Sequence, residues 1–122
     1  MGVGLISLTI YATDLEKTKQ FYEAIGFELH KIQGGWSINY YYFAKLENDL
    51  NLNIGLSEPD KIIKENRFAG ALVFSVDDVV EVIKKLKSIN APILAPHPLL
   101  HGACDRATVQ DPDGRQIRLR KK

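Results

Sequence analysis

The stretch that decides the fold is LISLTIYATDLEKTKQFYEAIGF, residues 5–27. Apolar and hydroxyl side chains alternate over residues 6–10, which is typical of a half-buried β-strand. Residues 13–16, TDLE, have the form of a capping box at a helix N-terminus, and apolar residues then recur at helical spacing. Gly26 can adopt a positive φ and end the helix. The stretch therefore predicts a strand followed directly by an amphipathic helix.

The same pattern returns 64 residues further along the chain, in LVFSVDDVVEVIKKLKSIN, residues 72–90. At this offset Asp78 aligns with Asp14 and Asn90 with Gly26. Short alternating segments after each helix predict further strands, so each half has the order βαβββ. We therefore expect one α+β domain over residues 1–122, with modules at about 1–57 and 68–122 and a linker at about 58–67.

The composition of the chain argues against several classes of protein. With 122 residues, 45% of them hydrophobic, the chain can bury the core of one domain. A net charge of +1 argues against a dedicated nucleic-acid binder, and no apolar run is long enough to span a bilayer. The single cysteine, Cys104, cannot form an internal disulfide. A cytoplasmic protein without a nucleic-acid or membrane partner is the expectation.

Three segments together resemble the vicinal oxygen chelate superfamily, which includes glyoxalase I, extradiol dioxygenases, fosfomycin-resistance enzymes and bleomycin-resistance proteins. They are residues 10–27, residues 74–78 (FSVDD) and residues 111–117 (DPDGRQI). The resemblance covers essentially the whole chain. It implies two βαβββ modules whose curved mixed sheet surrounds a cleft, with the helices outside. It also implies a homodimer.

Metal-dependent members of that superfamily hold a divalent ion with His and Glu side chains. Carried over by position, these ligands fall on Ser7, Ala71 and Arg118, and near Asn53 or Gly55. The Ser7 hydroxyl is a poor ligand for such an ion, and the Ala71 methyl group has no donor atom. The Arg118 guanidinium stays protonated and therefore cannot coordinate a cation. The resemblance therefore implies a domain of this type that has no metal site and no cofactor.

Other chemical groups lie in one loop, where His97, His101 and Cys104 fall within eight residues. Pro98 and Gly102 favour an irregular loop, in which ligand spacing is less informative. Two interpretations stay open: a metal or thiol site, or exposed loop histidines beside a structural cysteine. His30 is interpreted as a structural strand residue.

Strand alternation and the resemblance together predict the ligand site. The side chains expected to line the cleft are Ser7, Thr9, Ala71, Val73 and Arg118, with Trp36, Tyr40 and Tyr42 as candidate stacking partners. An arginine fork suits a carboxylate, phosphate or sulfonate, although an ion pair with Asp105 or Glu58 is an equal alternative. Which face of the strand at residues 36–43 points into the cleft is left open.

These expectations lead to one main functional hypothesis and two alternatives. The main hypothesis is a metal-independent protein of the glyoxalase/bleomycin-resistance type that binds a small organic ligand, anionic or aromatic. One alternative is a glyoxalase-like lyase, isomerase or dioxygenase with non-standard metal ligands, so whether the protein is an enzyme is left open. The other is an accessory domain that only mediates interactions.

Overall fold

The computed structural model describes residues 2–33, 40–56, 71–95 and 105–122. Its elements follow the order βαβββ twice, which confirms the predicted α+β fold class. The first module contains β1 (Ser7–Ala12), α1 (Leu15–Ile25), β2 (His30–Gln33), β3 (Tyr40–Lys45) and β4 (Asn51–Leu56). The second contains β5 (Leu72–Val76), α2 (Val79–Ser88), β6 (Ile93–Ala95), β7 (Arg106–Gln110) and β8 (Gln116–Lys121).

The two helices begin and end in matching ways. Asp14 caps α1 by accepting a hydrogen bond from the backbone N–H of Lys17, and Asp78 caps α2 in the same way, each at 3.1 Å. Both aligned residues after the helices have positive φ, +126° at Gly26 and +60° at Asn90. Glycine and asparagine are the residues that tolerate this conformation best. The offset seen in the sequence is therefore an offset between equivalent backbone positions.

Each module forms one four-stranded mixed sheet. The strand orders are β1-β4-β3-β2 and β5-β8-β7-β6, so the first strand of each module pairs with its last. These pairs are parallel, with Ile10 opposite Ile54 and Phe74 opposite Leu119, whereas the other neighbours are antiparallel.

The helices cover one side of the sheets, which we call the helix-facing side. α1 contacts β4, α2 contacts β6 and β8, and the two helices contact each other. The buried side chains of both modules form one hydrophobic cluster on this side, which includes Ile10, Tyr22, Ile54, Leu86, Ile117 and Leu119. The opposite side of each sheet, which we call its open face, is more exposed.

Two apolar residues lie just outside the first strands. Ile6 precedes β1, which begins at Ser7, and is 76% exposed. Phe27 precedes β2, which begins at His30, and packs its ring edge-on against Phe74, at 5.0 Å between centroids. The linker at about 58–67 lies outside the described residues. Neither described helix is long and apolar enough to cross a membrane.

Candidate functional site on the open faces of the sheets

The open face of the first sheet carries the two hydroxyl residues predicted for the site. Ser7 and Thr9 are exposed on β1, and their register partners on β4 are Asn51 and Asn53. The Asn53 side-chain amide donates to Ser7 Oγ at 3.2 Å. This part of the face offers neutral hydrogen-bonding groups.

Tyr40 and Tyr42, predicted as stacking partners in the cleft, lie on the other side of that sheet. Tyr42 is opposite Ile54, which lies in the hydrophobic cluster on the helix-facing side, and is itself buried. Both hydroxyls donate to Glu16 on α1, at 2.9 Å from Tyr40 and 2.7 Å from Tyr42. The structure therefore places both rings on the helix-facing side, away from the face that carries Ser7 and Thr9, and their contact with a ligand stays a prediction. Trp36 lies outside the described residues.

The bonds to Glu16 change the acidity of all three groups. The hydroxyl of Tyr42, followed by that of Tyr40, holds the pKa of the Glu16 carboxyl below its ordinary value. Burial and the bond to Glu16 raise the pKa of Tyr42, and the bond to Glu16 raises that of Tyr40. The contacts tie β3 to α1, which is a structural role.

The aromatic side chains that do lie on the open face are the neighbours of these tyrosines. Tyr41 and Phe43 are half-buried on β3, and Phe43 is opposite Asn53. The Tyr11 ring lies over Gly55, with Cδ1 3.8 Å from the position that a Cβ would occupy. Tyr41 and Phe43 could not be assigned to this face from the sequence, because the face of β3 depends on its register with β4.

The open face of the second sheet carries Arg118. On β8 it is exposed and stands opposite Val73 on β5 and Thr108 on β7. Val73 is 53% exposed, although it is apolar. Ala71 directly precedes β5 and is half-buried. The structure therefore brings Val73 and Arg118 together as register partners.

Of the two acidic partners suggested for Arg118, the one that the structure describes, Asp105, pairs with a different arginine. Asp105 Oδ1 lies 3.6 Å from Arg106 Nε instead, and Glu58 lies outside the described residues. The open face also holds Arg120, which is opposite Ser75 and Arg106.

The residues at the positions of the superfamily's metal ligands do not suit a divalent cation. Ser7 Oγ is engaged with the Asn53 amide, Ala71 has no donor atom, and Arg118 brings a positive charge. Within the described residues, no group of three or more His, Cys, Asp or Glu side chains could hold a metal ion. His97, His101 and Cys104 lie outside those residues.

A polar network centred on the buried Asp111 joins the two modules. Asp111, 2% exposed, accepts hydrogen bonds from the Tyr22 hydroxyl at 2.8 Å and from Arg115 Nη1 at 3.1 Å. Arg115 also donates to the backbone carbonyl of Tyr11, and Asp113 accepts from the Thr13 hydroxyl at 2.5 Å. Burial and the adjacent Asp111 raise the pKa of Tyr22, so this hydroxyl stays protonated and donates.

Comparison with solved structures shows the same fold elsewhere. The trypanothione-dependent glyoxalase I of Leishmania major matches with a TM-score of 0.74 and 21% identity, over 98% of this chain and 87% of that one. The fosfomycin resistance protein FosX of Listeria monocytogenes matches with a TM-score of 0.66 and 22% identity, over 100% and 91%. At these identities the likeness concerns the fold. Among curated proteins, no relative matches.

A family model gives the more specific result, because it matches residues 4–119 and so spans both modules. The three segments that carried the resemblance all lie within that range. The chain belongs to the Glyoxalase/Bleomycin resistance protein/Dioxygenase superfamily.

Proposed function

We propose that this protein binds a small organic anion without the help of a metal ion, and that Arg118 is the anchoring residue. The observation that carries the proposal is the position of Arg118. An exposed guanidinium, with no described carboxylate paired to it, stands on an open sheet face at the position of a superfamily acidic ligand.

The chemistry of the guanidinium supports an anionic ligand. Arginine keeps its charge at every physiological pH and presents donors in a planar fork that matches two oxygens of a carboxylate, sulfonate or phosphate. Thr108 and Val73 stand on either side of Arg118. They offer a hydroxyl for a third oxygen and an apolar surface for the carbon skeleton of the ligand.

The first sheet supplies a complementary surface. Its open face combines the rings of Tyr41 and Phe43 with the amide of Asn53 and the hydroxyl of Thr9. Aromatic faces stack on flat apolar groups, and a small number of neutral polar groups fix the ligand's orientation. An aromatic anion such as benzoate or phenyl sulfate is therefore the proposed class of ligand.

Isothermal titration calorimetry with benzoate and phenyl sulfate tests the proposal. We expect Arg118→Ala to weaken the binding of both compounds at least about tenfold, as the loss of a charge-assisted hydrogen bond would. The matched control is Lys121→Gln, which removes a charge from the same strand on the opposite face. Equal binding by wild type and Arg118→Ala would contradict the role of Arg118.

Metal independence needs its own measurement. We expect protein purified without chelators to carry no stoichiometric Zn, Ni, Mn or Fe, and the titrations to be unchanged by EDTA. A stoichiometric metal that is lost on replacing His97 or His101 would instead support the enzymatic alternative with non-standard ligands.

We also propose that two copies of the chain associate. Val3, Leu5 and Ile6 form an apolar segment before β1 and are among the most exposed large apolar side chains described. β1 and β5 lie at the edges of their sheets, and an unpaired edge can accept another strand. Light scattering coupled to size exclusion should give about twice the mass of one chain, and a monomer would contradict the proposal.

A further inference from the structure

Arginine side chains are concentrated on the open face of the second sheet. Arg118 and Arg120 are two residues apart on β8 and therefore share a face, with their Cα atoms about 7 Å apart. Arg106 on β7 is directly opposite Arg120, at a Cα separation of about 5 Å. All three are exposed. We call Arg106, Arg118 and Arg120 the arginine cluster.

The charge of this cluster is only partly compensated by the described residues. Asp105 lies 3.6 Å from Arg106, and no carboxylate in the described ranges pairs with Arg118 or Arg120. Like charges directly opposite each other on a sheet are unfavourable. A doubly negative ligand would match the charges of both Arg118 and Arg120, whereas a singly negative ligand would match only one of them.

Neutral donors stand opposite two of these arginines on the neighbouring strands. Thr108 is opposite Arg118 on one side, and Ser75 is opposite Arg120 on the other. A tetrahedral group with three terminal oxygens can accept from two arginine forks and from a hydroxyl at the same time. A planar carboxylate has only two oxygens and fills one fork.

We propose that the arginine cluster is a subsite for the dianionic group of a phosphate monoester, held by Arg118 and Arg120 together. This inference rests on the proposed function, because it uses the same open face and the same anchor, and it adds the charge class of the ligand and a second binding residue. Val73, exposed beside Arg118, would contact the organic part of the ester.

Phenyl phosphate and phenyl sulfate are suitable probes because they are similar in shape and differ in charge. The second pKa of a phosphate monoester is about 6, so phenyl phosphate is mostly a dianion at about pH 8 and mostly a monoanion at about pH 5, whereas the sulfate stays a monoanion. We expect wild type at pH 8 to bind the phosphate about tenfold more tightly. This preference should largely disappear at pH 5, because the arginines do not titrate.

Single substitutions test whether Arg120 is the residue responsible for the preference for phenyl phosphate over phenyl sulfate. Arg120→Gln should lower phenyl phosphate affinity about tenfold at pH 8 with little effect on phenyl sulfate, whereas Arg118→Gln should weaken both ligands. Lys121→Gln is again the control for net charge on β8. Circular dichroism spectra of all variants should match wild type, since these side chains are exposed.

The outcomes separate this inference from the proposed function. If both probes bind equally at pH 8 and only Arg118→Gln matters, the dianion subsite is wrong and the proposed function stands. If Lys121→Gln has the same effect as Arg120→Gln, binding follows net charge alone and the subsite is also wrong. If neither probe binds, both proposals are overturned.

Discussion

The Tyr22 hydroxyl donates a hydrogen bond of 2.8 Å to the Asp111 carboxylate, across 89 positions of sequence. Tyr22 lies on α1 in the first module, and Asp111 begins the turn between β7 and β8 in the second. Both residues are buried, so water cannot replace either partner readily. This single hydrogen bond therefore links the two modules.

Tyr22→Phe is therefore expected to lower the free energy of unfolding by about 1.5–3 kcal/mol, because it leaves a buried carboxylate with one donor fewer. Urea unfolding followed by circular dichroism measures the loss. Tyr11→Phe is the matched control, because Tyr11 is 55% exposed, and should change stability by less than about 0.5 kcal/mol. Equal losses in the two variants would contradict the structural role of the Tyr22 hydroxyl.

Replacing Arg115 is expected to lower the free energy of unfolding more than replacing an exposed cation does. Its side chain is 12% exposed, and Nη1 lies 3.1 Å from the fully buried Asp111 carboxylate. Arg115→Leu should cost about 3 kcal/mol in the same assay, since it leaves a buried charge without its cation. Lys84→Leu removes an exposed cation 3.9 Å from Glu81, and should cost about 1 kcal/mol or less. Similar losses in both would show that the Asp111 site is well hydrated.

Glu16 should make the stability of the protein depend on acid pH. Its pKa is lowered in the folded state by the Tyr42 and Tyr40 hydroxyls. A group of this kind contributes stability that is present above its unfolded pKa and is lost as the pH falls through the folded pKa. Glu16→Gln should therefore destabilise the protein at about pH 7 and much less at about pH 3. In a Tyr42→Phe background the effect at pH 7 should shrink, and an unchanged effect would contradict this cause.

The equivalent helix caps should respond alike to mutation. Asp14→Ala and Asp78→Ala each remove a side-chain acceptor 3.1 Å from a backbone N–H in the first helical turn. Each should cost about 1 kcal/mol, whereas Asp→Ser at the same positions should cost only a fraction of that, because serine is also a good cap. A loss at one position only would show that the two helix ends are not energetically equivalent.

Much of the fold could be predicted because its signals are local. The caps, the helical spacing and the residues of positive φ all lie within a few positions of each other, so the offset between Asp14 and Asp78 was visible in the sequence. The face of β1 was also predictable, because polar Ser7 and Thr9 alternate with apolar neighbours. The same alternation placed Val73 and Arg118 on the open face.

The face of β3 could not be predicted, for a physical reason. Four successive aromatic residues, 40–43, give no alternation of polarity, and a shift of one residue exchanges the two faces. Only the pairing of Tyr42 with Ile54 decides which rings meet the helix. The network around Asp111 could not be predicted for a related reason, since Tyr22 and Tyr11 are about 90–100 positions from it in sequence.

The parallel pairing of β1 with β4 has a consequence for how the protein folds. Ser7 pairs with Asn51, and Leu72 pairs with Ile117, so the sheet of each module can be completed only after its last strand is available. Contacts of such long sequence separation slow folding. During synthesis the first module can close on its own strands, but Tyr22 has no acceptor until the turn at Asp111 has left the ribosome. The segment from β7 to β8 therefore completes both halves of the molecule, because it closes the second sheet and supplies the acceptor for Tyr22 in the first module.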